Sequence, residues 1–165
     1  MTKQDVPQVI GVCHVGLSAR DPAALAAFYH DVLGLQVVGG SAADTSVFGA
    51  TAFLSSHPAR ESHDLALFAD PTFQHTAFKV RSLADLRAFH QRVLGRGVPF
   101  RMALDHGVSL SFYFEDPEGH VIELYWPTGI DCVPRHGEPI DLSRSEEAIR
   151  EALCAQPARG LSQPR

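Results

Sequence analysis

Apolar and polar positions alternate through residues 108–115, with Leu110, Phe112 and Phe114 on one side and Ser109, Ser111 and Tyr113 on the other. After Asp116-Pro117-Glu118-Gly119, where proline presets φ and glycine tolerates a positive one, residues 120–126 alternate again. There Ile122 and Leu124 oppose Glu123 and Tyr125, and the pattern predicts a β-hairpin. Its second strand carries a carboxylate between two large apolar residues. A buried charge requires a partner or a metal ion.

A second pattern has a longer period. Residues 13–37 align without gaps on residues 74–98, an offset of 61, with ten of 25 positions identical, among them His14/His75, Phe28/Phe89 and Gly34/Gly95. Shared amphipathicity does not produce that agreement, so the chain is two copies of one unit. Each copy opens with a strand around its histidine. A helix follows, entered through Asp21-Pro22 in the first copy and Ser82 in the second, and left near Gly34 and Gly95. Leu25, Phe28, Val32 and Leu33, and equally Leu86, Phe89, Val93 and Leu94, make one apolar stripe that is expected to face the core.

Three more strand candidates follow each helix: 35–38, 47–54 and 63–68 in the first copy, 98–102, 108–115 and 120–126 in the second. The unit is βαβββ, used twice. One helix covers one face of four strands and leaves the other open. The expected fold is α+β: an eight-stranded half-barrel sheet with helices outside and a concave inner face. The domain is expected over residues 6–127, with modules 8–69 and 70–127, followed by a tail, 128–165.

Strand parity then selects chemistry. The neighbours of His14 and His75 suit the helix side, so both imidazoles are expected to point inward with Glu123. Two histidines and one carboxylate from three strands match the 2-His-1-carboxylate triad, which leaves coordination positions open and typically holds Fe(II). A lone strand histidine is usually a packed or surface residue. Here two of the three are related by the repeat and all share one face.

The duplication with His14, His75 and Glu123 resembles the vicinal oxygen chelate superfamily, which includes glyoxalase I, fosfomycin-resistance proteins, methylmalonyl-CoA epimerase and type I extradiol dioxygenases. The resemblance spans about residues 8–127. Within it, His106, Phe112-Tyr113, Asp116-Pro117, Gly119 and Glu123 look like the extradiol dioxygenase pattern around its last metal ligand. Leu104 departs from that pattern. Residues 62–68, from Ser62 and His63 to Phe68, resemble the strand bearing the family's acid–base histidine. His63 also stands 60 residues before Glu123, close to the repeat offset.

The resemblance implies Fe(II), with Mn(II) as the alternative ion, and a small aromatic diol with O2 as substrates. It implies His63 as acid–base group, Tyr113 as hydrogen-bond partner of a substrate oxygen and His106 as stabiliser of charge developing there. Leu65, Leu67 and Ala77 are expected to line the inner face. His57 is a rival for the acid–base role, although Pro58 puts it in a loop. Two other readings stand beside this one. A glyoxalase, epimerase or thiol transferase would add a fourth ligand, for which Glu61 is the nearest candidate. A metal-free ligand-binding resistance protein would leave Glu123 buried without a cation.

Composition narrows the rest. A net charge of -5 without a Lys/Arg block argues against a nucleic-acid partner. No membrane-length apolar run and no signal peptide are read, and three cysteines without a paired motif suit a reducing, cytoplasmic setting. A homo-oligomer, dimer or higher, is expected. Of the nine histidines, His30, His90, His120 and His136 are assigned to surface or helix faces. In the tail, Ser143 and Glu146 read as a capping box opening a helix near 144–155, which folds over the sheet or docks on a partner.

Overall fold

In the computed structural model, which describes residues 7–43, 49–59, 63–130 and 137–154, the duplicated pattern becomes duplicated structure. The first copy gives β1 (Val9–Ser18), α1 (Pro22–Leu33), β2 (Gln36–Ser41), β3 (Thr51–Ser55) and β4 (Leu65–Phe68). The second gives β5 (His75–Val80), α2 (Leu83–Gly95), β6 (Phe100–Asp105), β7 (Ser109–Glu115) and β8 (Val121–Pro127). A 3-10 turn, Pro71–Phe73, joins them, and the tail adds β9 (Glu138–Pro139) and α3 (Glu146–Cys154). The α+β class is as expected. The strand order is β2-β3-β4-β1-β5-β8-β7-β6-β9, with the ninth strand supplied by the tail. Among the described residues, no helix is long and apolar enough to cross a membrane.

The chain divides into two compact units. The first comprises Gly11–Phe78 and Asp116–Glu123. In it β4 runs parallel to β1, Val15 facing Leu65 and Leu17 facing Leu67, and antiparallel to β3. β2 closes on β3 through a bulge between Val37 and Gly39. Asp21 caps α1 by accepting from the Ala24 amide, and Gly34, at φ 71°, donates to the His30 carbonyl in the left-handed closure. The core gathers Ala19, Ala26, Ala52, Leu54, Leu65 and Leu67, with Leu17, Leu25, Tyr29 and Leu35 packed against it.

Two expectations fail here. Leu25 reaches this core, but Phe28, Val32 and Leu33 are 54, 60 and 63% exposed. The face that α1 packs on the strands is Pro22, Leu25, Ala26 and Tyr29, with the small Ala26 at its centre, 3% exposed. Leu65 and Leu67 lie in the core beneath α1 and do not line the opposite face; His63 precedes β4, so its direction does not set the parity of the strand.

The second unit takes the described residues of Met1–Ile10, Lys79–Glu115 and Leu124–Arg165. Ser82 caps α2 by accepting from the Asp85 amide. The helix buries Leu83, Leu86, His90 and Val93 at three- and four-residue intervals. It runs through Gly95 and ends at Arg96, so the left-handed glycine is Gly97, at φ 66°, and not Gly95. β6 and β7 pair antiparallel with a register shift between Phe100 and Met102. β9 extends β6, setting Pro139 opposite Leu104.

α3 is capped by Ser145, whose hydroxyl accepts from the Ala148 amide; Ser143 instead turns back onto Asp141. Its residues Ile149 and Leu153 are buried, and Arg150 lies over the Trp126 ring, 5.1 Å from its centre. His90, expected on a surface or helix face, lies on the buried face of α2, 6% exposed and set edge-to-face against Phe100 and Phe112. Burial pushes its imidazole below the usual histidine range, and the nearby Asp141 charge reverses only part of that. His30 and His120 are exposed as expected, whereas His136 lies outside the described residues.

Candidate metal centre

All three proposed ligands fall in the first unit. His14 comes from β1, His75 opens β5 and Glu123 comes from β8, at 7, 6 and 3% exposure. Parity explains the convergence. On β1, Leu17 packs toward α1, which turns His14 and Gly16 to the other face. On that face the register sets Gly16 beside Ala66, and Ala66 beside Phe53.

The donor atoms form a nearly equilateral triangle. His14 Nε2 lies 3.1 Å from His75 Nε2 and 3.0 Å from Glu123 Oε2, and His75 Nε2 lies 3.2 Å from the same oxygen. Ligands about 2.1 Å from a first-row divalent ion and at right angles to one another stand about 3.0 Å apart. The triangle therefore has the dimensions of one face of a coordination octahedron. Among the described residues, this is the group of His, Cys, Asp and Glu side chains close enough together to hold an ion.

The tautomer of His75 strengthens the fit. Its Nδ1 is 2.9 Å from the Phe73 carbonyl, an acceptor, so Nδ1 carries the proton and donates. In the neutral ring, Nε2 then presents a lone pair to the triangle. Burial alone would lower the His75 pKa, but the Glu123 hydrogen bond and charge, with the Phe73 carbonyl, raise it overall. Burial likewise opposes the Glu123 charge, yet the two histidines hold its carboxyl well below the usual carboxylate range. A carboxylate and two imidazole nitrogens converging within 3.2 Å, away from water, suit a shared cation. The residues present fit a divalent ion.

His63 stands at the edge of this group. It precedes β4, half-buried, with its ring centre 4.3 Å from that of His14 and 5.0 Å from that of Phe53. The adjacent Asp64 carboxylate accepts from both the amide and the hydroxyl of Ser56, pinning the end of β3 to the segment that carries His63. Burial opposes the Asp64 charge, but those Ser56 hydrogen bonds and the charges of His57 and His63 lower its pKa. His57 is exposed, with its Nδ1 3.0 Å from the Ser56 hydroxyl. Glu61, the candidate fourth ligand, lies outside the described residues.

Reading the motifs alone missed the aromatic surround of His75. Phe68 and Phe73 stand 5.6 Å from its ring, centre to centre, and 5.0 Å from each other. Carrying the α1-facing parity of Leu65 and Leu67 one step along β4 turns Phe68 toward the histidines.

In the second unit, Tyr113 is 3% exposed on β7, with its hydroxyl 3.5 Å from His106 Nε2 and 3.5 Å from the Ser111 hydroxyl. His106 follows β6 and is half-buried; its amide donates to the Ser109 carbonyl across the β6–β7 turn. The two residues form one polar pair.

Comparison with known proteins agrees with this geometry. Residues 11–124 match the family model described as Glyoxalase/Bleomycin resistance protein/Dioxygenase superfamily. The chain is 30% identical over 154 residues to biphenyl-2,3-diol 1,2-dioxygenase 3 of Rhodococcus globerulus, covering 86% of this chain and 74% of that one. Among solved structures, the Mn(II)-bound glyoxalase from Novosphingobium aromaticivorans superposes with a TM-score of 0.60 at 23% identity, over 82% of this chain and 43% of its own. The 2,3-dioxygenase LapB from Pseudomonas sp. KL28 does so at 0.61 and 19%, over 83% and 46%. The chain thus spans a little under half the length of those two solved chains, and at such identities they speak for the fold.

Proposed function

This chain belongs to the glyoxalase/bleomycin resistance protein/dioxygenase superfamily, and on that premise we propose that it is an Fe(II)-dependent extradiol dioxygenase opening the ring of a catechol-type aromatic diol with O2. The observation that carries this reading is the buried triangle of His14, His75 and Glu123, three ligands with the remaining coordination positions left to substrates. His14, His75 and Glu123 would hold a divalent iron, which would relay electrons from the bound diol to O2.

The other roles belong to the chain's own side chains. His63, its ring tilted against that of His14, takes a proton from a diol hydroxyl and returns it as the ring opens; imidazole suits both steps because its pKa lies near working pH. Tyr113 holds a substrate oxygen through its hydroxyl, and His106, its hydrogen-bond partner, stabilises the charge that develops there. Phe53, beside His63, offers an apolar ring to the aromatic substrate. Mn(II) is the alternative ion, given the Mn(II)-bound glyoxalase of like fold. Self-association into a homo-oligomer belongs to the same reading, and light scattering that returned the mass of one chain would remove it.

The test is direct. Anaerobically prepared protein loaded with Fe(II) is mixed with catechol or 2,3-dihydroxybiphenyl in air, and O2 uptake is followed with the yellow ring-opened product. The expected result is one O2 consumed per diol. Iron bound at the triangle with no O2 uptake on any diol would overturn the dioxygenase reading. It would favour the glyoxalase-, epimerase- or transferase-type chemistry of the same scaffold.

A further inference from the structure

We propose that Gly16 is the positioning residue of the metal centre: its missing side chain makes the room in which the His75 imidazole is set to bind the ion. The inference rests on the reading of His14, His75 and Glu123 as metal ligands. A Cβ built on Gly16 would lie 2.6 Å from both Nδ1 and Cε1 of His75, and 3.2 Å from Cε2 of Phe68. Carbon does not approach ring atoms to 2.6 Å, so a methyl there and the present ring position exclude each other.

Two observations show that the ring, and not the strand, requires the glycine. Gly16 is not among the positive-φ glycines, so its backbone conformation is open to any residue. At the equivalent place in the second copy, 61 residues on, the chain has Ala77, fully buried in β5. The repeat's opening strand therefore accepts a Cβ at this place. At Gly16 a Cβ would meet the ring of His75.

The ring lies in a socket. Gly16 is its floor, Phe68 and Phe73 are its walls, and the Phe73 carbonyl hooks Nδ1 at 2.9 Å. The other ring nitrogen, Nε2, is directed at Glu123 Oε2, 3.2 Å away. Filling the floor pushes the side of the ring that the carbonyl holds. The ring must then turn, lose that bond and carry Nε2 off the triangle. Disturbing such supporting contacts typically weakens metal binding 10–100-fold.

The experiment titrates Co(II) into wild type, Gly16→Ala and Gly11→Ala, reading the visible ligand-field bands, and records thermal unfolding of the metal-free proteins. Gly11 lies on the same strand with nothing within 4 Å of a Cβ built on it, so its variant is the control. Gly16→Ala should bind Co(II) 10–100-fold more weakly and with altered bands, while Gly11→Ala matches wild type. Unfolding is also measured for Gly16→Ala in the His75→Ala background, where most of its penalty should vanish because the ring is gone. That double variant keeps the test open should Gly16→Ala alone not fold. Co(II) affinity of Gly16→Ala within twofold of wild type, or an equal loss of stability in both backgrounds, overturns the proposal. Wild type binding no Co(II) would instead overturn the metal reading and the inference with it.

Discussion

His14→Ala, His75→Ala and Glu123→Ala each remove one vertex of the donor triangle, and each is expected to leave the purified protein with less than a tenth of the wild-type iron content by elemental analysis. His63→Ala separates binding from turnover. Its ring contacts His14 without entering the triangle, so iron content should stay near wild type while diol turnover falls about 10²–10⁴-fold, the usual range for a lost acid–base group. Iron lost together with turnover would make His63 a ligand. The triangle was legible in the sequence because duplication placed two histidines at equivalent positions and strand alternation gave Glu123 the same face. Gly16, Phe68 and Phe73 were not legible. Each acts through a close approach in space that no period in the sequence records, and each neighbours the ligand from a different element.

At the scale of elements, the two helices differ more than their sequences do. α2 buries His90 where the repeat sets Tyr29 in α1, and the buried imidazole makes the second unit sensitive to acid. Because burial depresses its folded pKa below the ordinary value near 6.5, the unfolded chain takes up a proton first as pH falls. The His90 contribution is thus complete above about pH 6.5 and is lost as pH drops toward the folded pKa, by at most about 1.4 kcal/mol per pH unit. Asp141 faces the ring and reverses only part of the shift. Urea unfolding of His90→Leu between pH 7.5 and 5 should show a flatter pH dependence than wild type; identical slopes would discharge His90 from the role.

Ser145→Ala removes the hydroxyl that accepts from Ala148 and should cost about 1 kcal/mol, whereas Ser143→Ala should leave α3 unaffected. The capping-box spelling favoured Ser143. The spelling was met, but the cap lies two residues later because Asp141 takes Ser143 into a turn of its own. The α1 stripe misled for a related reason. Phe28, Val32 and Leu33 satisfy helical periodicity, yet the helix packs through Pro22, Leu25, Ala26 and Tyr29, and periodicity alone does not rank one face over another.

For the whole molecule, the duplicated βαβββ order was readable from the 61-residue offset, since it needed only aligned patterns and no knowledge of contacts. The ninth strand was not, because a two-residue strand ending in proline, Glu138–Pro139, carries no alternation to detect. Family membership follows from the match over residues 11–124 and from the curated relative; the chemistry depends on whether the three donor atoms share one ion. Anomalous X-ray diffraction at the iron edge, from crystals of Fe(II)-loaded protein grown without oxygen, measures this directly. One peak about 2.1 Å from His14 Nε2, His75 Nε2 and a Glu123 carboxylate oxygen is the expected result. No peak at the triangle, or iron held elsewhere, would contradict the account.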